Sequence, residues 1–99
     1  MIYEIKNNPQ PKISILIPFS TKDPERKKNF EWLLKYWKCE LPDAEIIIGK
    51  SKSKVFCKGE AFNDAYSRST GKIIVLLDAD AYMNGKTIER CANRILEEL

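Results

Sequence analysis

The stretch "GKIIVLLDADAYM", residues 71–83, carries five apolar residues straight into two aspartates. Ile73 to Leu77 show no polar alternation, so they read as a strand buried on both faces, the kind found inside parallel α/β sheets. In such sheets ligands sit at the carboxyl ends of the strands. If the extended geometry persists through Asp80, the period of two puts Asp78 and Asp80 on one face and Ala79 on the other. Two converging carboxylates repel each other unless a cation, a donor group or water lies between them. The spacing therefore suggests a divalent metal held by oxygen ligands. A D-x-D also arises by chance in a chain with 31% charged residues, and then it caps a turn.

Working outward, "ISILIPF" (Ile13 to Phe19) is a second buried strand, closed by Pro18, which cannot donate to a central ladder. Asp23 is an N-cap with Pro24 at the first helical position. Phe30, Leu33, Leu34 and Trp37 recur at i, i+3, i+4, i+7 to form the buried stripe of that helix. Trp32 and Tyr36 lie off the stripe and read as a widened core contact rather than a surface for a ligand. "AEIIIGK" supplies another strand, Glu45 to Gly49. Val55 to Cys57 read as a short edge strand, with Lys50, Lys52, Lys54 and Lys58 keeping a loop and an edge solvated or meeting a phosphate.

Glu60 to Ser69 reads as a helix with Ala61, Phe62, Ala65 and Tyr66 on one face and Gly71 just past its end. Asn63 lies near that face, and its amide either bonds locally or points into a cleft. Thr87 to Leu99 is strongly amphipathic through Ile88, Cys91, Ala92, Ile95 and Leu99, which makes Cys91 a core residue. The fold class is thus α/β: a three-layer, Rossmann-like arrangement with a mostly parallel sheet of about four strands and flanking helices. A single domain spans 1–99, with 1–12 a polar lead-in.

Composition narrows the function classes. A net charge of +3 from dispersed lysines, without aromatics interleaved among them, does not indicate a nucleic-acid partner. Cys39, Cys57 and Cys91 form no C-x-x-C, and the chain has no histidine, which fits neither a disulfide scaffold nor a zinc site. The chain reads as cytoplasmic and reduced, with no apolar run of membrane-spanning length. "GKT" at Gly85 to Thr87 resembles the end of a phosphate-binding P-loop, but that motif needs a glycine where Asp80 stands. Phosphatases that use D-x-D as nucleophile and acid place it after the first strand, whereas this pair follows the last.

The ordered blocks "ISILIPF", "AEIIIGK" and "KGEAFNDAYSRSTGKIIVLLDAD" resemble the nucleotide-binding half of a GT-A glycosyltransferase, the fold of family 2 enzymes. The set "PFSTKD…FCKGEAFNDAY…LLDADAYM" is also similar to the galactosyltransferase pattern, in which P-F-R and F-N-R-A-K-L-L-N precede D-V-D. The resemblance implies a donor-binding domain for a nucleotide-diphospho-sugar, with a UDP-sugar as partner and Mn²⁺ or Mg²⁺ as cofactor. It implies that Asp80 and Asp78 hold the metal, with Asp78 contacting the ribose or the metal's water shell. Lys58 stands where the family has an arginine and approaches the phosphates, and Asn63 stands at the family's asparagine. Pro18, Phe19 and Ser20 line the base and ribose.

Three departures accompany the resemblance. Gly49 and Lys50 stand where family 2 enzymes carry an acidic pair for uracil and ribose, and Ser20 replaces the galactosyltransferase arginine. The family's second half, which binds the acceptor and supplies the catalytic base, lies outside these residues. A non-catalytic nucleotide-sugar module, completed by a partner or by self-association through an exposed sheet edge, is therefore the alternative to a hexosyltransferase-type enzyme.

Overall fold

The computed structural model describes residues 11–98, so most of the polar lead-in and Leu99 lie outside the described residues. The element order is β1 (Ile13–Pro18), α1 (Pro24–Glu40), β2 (Glu45–Gly49), α2 (Lys58–Ser67), β3 (Ile73–Leu76) and α3 (Gly85–Glu97). The three strands form one parallel sheet in the order β2-β1-β3. All six residues of β1 are buried, as expected for the central strand of a sheet covered on both faces.

The period of two along β1 divides its side chains between two cores. Ile13, Ile15 and Ile17 pack with Phe30 and Trp37 of α1 and with Ile88 and Ala92 of α3. Leu16 packs on the opposite face with Ile47 of β2 and Ala65 of α2. Helices α1 and α3 thus form one outer layer and α2 the other, which gives the expected three layers. Helix α1 starts where the sequence places it, since the Asp23 carboxylate accepts from the Glu25 amide at 2.9 Å and Pro24 opens the first turn.

Several expectations are corrected. The sheet has three described strands rather than about four, because Val55 to Cys57 form no strand and Val55 is 82% exposed. The reason is local: side chains take the Cys57 amide and the amides of Lys52 and Ser53 that lead into the segment. Glu60 accepts from the amides of Lys52 and Ser53, and Ser51 Oγ accepts from the amides of Ser53 and Cys57. Strand β3 ends at Leu76 and is an edge among the described residues. Ile73, Ile74 and Val75 are half-buried rather than enclosed on both faces, and Leu76 is 57% exposed.

The helix boundaries shift by two residues, to Lys58–Ser67 and Gly85–Glu97. Tyr66, Cys91 and Ile95 are exposed rather than core. Gly71 does not close α2, since Arg68 is the C-cap and no glycine among the described residues has a positive φ. Its smallness serves a close approach instead. A Cβ on Gly71 would lie 2.4 Å from Ser14 Oγ and 2.7 Å from the Ser14 amide nitrogen.

Candidate functional site

The chain runs from β1 outward to β2 and then back across β1 to β3, so the strand order reverses between β1 and β3. Beyond the carboxyl ends of two such strands the connections diverge and leave a crevice, the usual ligand site of an open α/β sheet. Phe19 follows β1 at this edge, with its amide donating to the Gly49 carbonyl at 3.2 Å. Asp78 and Asp80 follow β3. The last ladder bond here runs from the Leu77 amide to the Leu16 carbonyl at 3.0 Å, and the Ala81 amide then closes a turn on the Asp78 carbonyl.

That turn corrects the expected placement of the aspartates. The extended geometry stops before Asp78, so the two carboxylates do not share a strand face. Aspartate favours turns because its short side chain competes for local backbone donors, and here it sits where the strand gives way. Asp78 meets Lys58 at the start of α2, Nζ to Oδ1 2.8 Å. This hydrogen bond, then the Asp78 charge and more weakly that of Asp80, raise the Lys58 pKa above the ordinary lysine value. Asp80 lines a cleft on the other side of the sheet edge, toward α1.

The cleft has a volume of about 430 Å³. Phe19, Trp32 and Tyr82 give it aromatic walls, and Arg26, Asn29 and Asp80 supply its charged and amide groups. Phe19 is stacked on Phe30 with centroids 3.9 Å apart. Trp32 stacks on Tyr36 at 5.9 Å, and Tyr36 in turn lies 4.8 Å from Tyr82. The Tyr36 hydroxyl donates to the Met83 carbonyl at 2.8 Å, which ties the loop after β3 to α1. Loss of hydration, then the Tyr82 hydroxyl and the Glu40 charge, push its pKa up to about 12. Tyr36 packs against the core as expected, whereas Trp32 is 59% exposed and is not part of that contact.

Of the sequence-predicted residues, the structure brings Lys58 and Asp78 into contact and puts Phe19 and Asp80 on one cleft. Pro18 is buried within β1, in register with Gly49, while Ser20 and Asn63 are exposed and line neither feature. The neighbour of Asn63 is the better anchored residue of α2. Asp64 accepts from the Lys50 amide at 3.0 Å and from Arg68 at 2.7 Å, fixing the chain just past β2. Those two donors, the Lys50 amide first, lower its pKa against some loss of hydration. Sequence reading missed Arg26, Asn29 and Tyr82. A signal existed for the first two, since Arg26 and Asn29 continue the Phe30–Leu33 stripe toward the helix start by helical spacing.

Among the described residues no group of three or more acidic, cysteine or histidine side chains comes together to hold a metal. Asp78 and Asp80 are the carboxylates that follow β3 at this edge, one on the Lys58 contact and the other on the cleft. Oxygen-only donation by two carboxylates fits Mg²⁺ or Mn²⁺, which keep several waters and take further ligands from substrate phosphates. The Lys58 ammonium, held by Asp78 and acted on by the Asp80 charge, shows that this edge already attracts a positive group.

The described residues thus form a three-layer α/β domain with a parallel sheet, and its ligand crevice lies at the β1–β3 switch point. The family described as Glycosyl transferase family 2 matches residues 31–99, most of the chain, and the protein belongs to that family. Searches of curated proteins and of solved structures find no match.

Proposed function

We propose that this domain binds the diphosphate of a nucleotide sugar in the crevice between β1 and β3, for transfer of the sugar to an acceptor. The observation that carries the reading is the Lys58–Asp78 contact with Asp80 beside it, at the carboxyl edge of the sheet. Asp78 and Asp80 are the residues to hold a Mn²⁺ or Mg²⁺ ion, and Lys58 donates to a phosphate oxygen at the same edge. When bound, the ion neutralises charge that builds on the diphosphate as the sugar bond breaks. Exposed ion pairs contribute little to folding, so Lys58 can exchange Asp78 for a phosphate at small cost. Phe19 and Ser20, at the end of β1, line the ribose and base, while Pro18 shapes that end of the strand from within. Asn63 faces solvent on α2 and contributes to donor binding only if the nucleotide reaches across that helix. UDP is the nucleotide the resemblance favours, and no residue of the chain is assigned as catalytic base.

The experiment is a calorimetric titration of the chain with UDP-glucose and UDP-galactose, in Mn²⁺ and then in EDTA. Binding is expected only with the metal, weakened about tenfold or more by Asp80→Ala. Binding that ignores EDTA, or none at millimolar donor, removes the proposal. The exposed edge of β3 supports a second reading, a non-catalytic module completed by self-association or a partner. Metal-dependent binding without donor hydrolysis or transfer distinguishes that module from an enzyme.

A further inference from the structure

Both outer strands of the sheet present an edge among the described residues, and the two edges differ. Backbone groups alternate sides along a strand, and in β2 Gly49 faces β1, since its carbonyl accepts from the Phe19 amide. Ile48 therefore faces outward, and its carbonyl is already taken by the Arg68 guanidinium at 2.8 Å. A charged side chain laid across the outer carbonyls blunts β2 against another strand. In β3 the amides of Ile73 and Leu77 donate to the Lys12 and Leu16 carbonyls at 2.9 and 3.0 Å, so Ile73, Val75 and Leu77 face β1. The backbone groups of Ile74 and Leu76 face outward, and among the described residues no side chain takes them.

The side chains of this edge are complementary to themselves in one orientation. The stretch "KIIVLLD", Lys72 to Asp78, sets a lysine before five apolar residues and an aspartate after them. Two copies laid antiparallel about Val75 place Ile74 opposite Leu76 of the partner subunit, a pair that exchanges both backbone bonds, and Val75 opposite the partner's Val75 on the two-fold axis. Apolar residues then meet apolar residues. Each Lys72 comes to the end of the other strand, where Asp78 and Asp80 outnumber Lys58. The smallest change of register that keeps the outward groups opposed sets Leu76 against the partner's Lys72, or Ile74 against the partner's Asp78. Parallel pairing brings Lys72 to the partner's Lys72, with like charges facing. Charge and hydrogen-bond parity thus select a single arrangement. The uncovered face of the sheet accepts it, because α2 packs over β1 and β2 and leaves Leu76 57% exposed. Beside Ile74 a groove of about 430 Å³ separates the strand from the exposed Tyr66, and Leu76 of the partner subunit lies over it.

We propose that two copies of this chain pair antiparallel through β3, in register about Val75, to form a two-fold dimer with one continuous sheet. The blunted β2 edges become the ends of that sheet, so growth stops at the dimer. The pairing needs neither metal nor nucleotide, so it and the donor-binding reading fail separately.

Sedimentation velocity over a concentration series in EDTA is expected to show a monomer passing to a dimer and nothing larger. Hydrogen exchange on the unsubstituted chain then reads the edge. The Ile74 and Leu76 amides slow several-fold or more as concentration rises, whereas the Val75 amide, which faces β1, changes less. Disulfide trapping tests the register in a Cys39→Ser, Cys57→Ser, Cys91→Ser background, whose three positions are all exposed. Val75→Cys links two copies under mild oxidation. Ile74→Cys does not, because its counterpart lies two residues along the partner strand, beyond the roughly 7 Å between Cα atoms that a disulfide spans. Circular dichroism checks that each variant is folded. A chain monomeric at every concentration, association that continues past the dimer, Ile74 and Leu76 amides indifferent to concentration, or linking at Ile74→Cys as readily as at Val75→Cys overturns the proposal.

Discussion

Ser14 is fully buried near the start of the central strand, and its hydroxyl works in both directions. It donates to Glu45 at 2.7 Å and accepts from the Gly71 amide at 2.8 Å, joining the starts of all three strands. Replacing it by alanine leaves a partly buried carboxylate and a backbone donor without that partner, which costs about 1–3 kcal/mol. Ser14→Ala is therefore expected to lower the urea midpoint with little change in slope, and an unchanged midpoint removes the linking role. In the sequence Ser14 is legible only as the one polar residue inside "ISILIP". Its two partners stand 31 and 57 positions away, beyond any local pattern. Separation in the chain also hides the Lys58–Asp78 pair, although each residue separately is marked by its place in a motif.

At the scale of elements, β2 is held from both ends. Glu45 accepts from the Ser14 hydroxyl and from the amide and hydroxyl of Thr70. Partial burial pushes its pKa up, but the Ser14 bond and then the two from Thr70 outweigh this and hold it below the ordinary 4.5. As pH falls below that value the unfolded chain protonates first, so this contribution, present in full above 4.5, is lost as pH descends through the lowered folded pKa. Chemical denaturation at a series of acidic pH values should show the loss, and Glu45→Gln should flatten that part of the profile.

At its other end β2 finishes on Gly49, where a Cβ would lie 1.9 Å from the Ala61 carbonyl oxygen. Only backbone could yield there, so Gly49→Ala is expected to force α2 off the sheet at a cost of about 3 kcal/mol or more. A variant that melts like the parent protein would show that α2 does not need this approach. The glycine was visible in "AEIIIGK" as a strand end. Its contact with α2 was not, because that depends on how closely the helix settles on the sheet.

Across the whole molecule, the order β2-β1-β3 leaves β3 paired on one side among the described residues, with Leu76 projecting at its end. Unpaired strand edges with exposed apolar residues favour pairing with another chain. Concentration-dependent self-association is the expected consequence, read by sedimentation velocity, and Leu76→Lys should suppress it by placing a charge on the edge. A chain that stays monomeric across the concentration range excludes this route. None of the described helices is long and apolar enough to cross a membrane. The α3 helix has its apolar face split between Ile88 and Ala92, which reach the core, and Ile95, which does not.

The amino-acid sequence by itself determined the order of the three strands and three helices, the Asp23–Pro24 helix start and the delivery of both aspartates to the sheet's carboxyl edge. Each of these follows from local chemistry: unbroken apolar runs, fixed φ at proline, side-chain capping and the period of a strand or helix. Only the tertiary structure decided that Asp78 turns toward Lys58 while Asp80 turns toward α1, and that Glu60 and Ser51 convert an apparent edge strand into a loop. It also decided that Trp32 stands at an open cleft rather than in the core. These outcomes depend on which groups meet after the chain has crossed the sheet, and on competition for the same backbone donors and the same apolar cover, neither of which a run of neighbouring residues encodes.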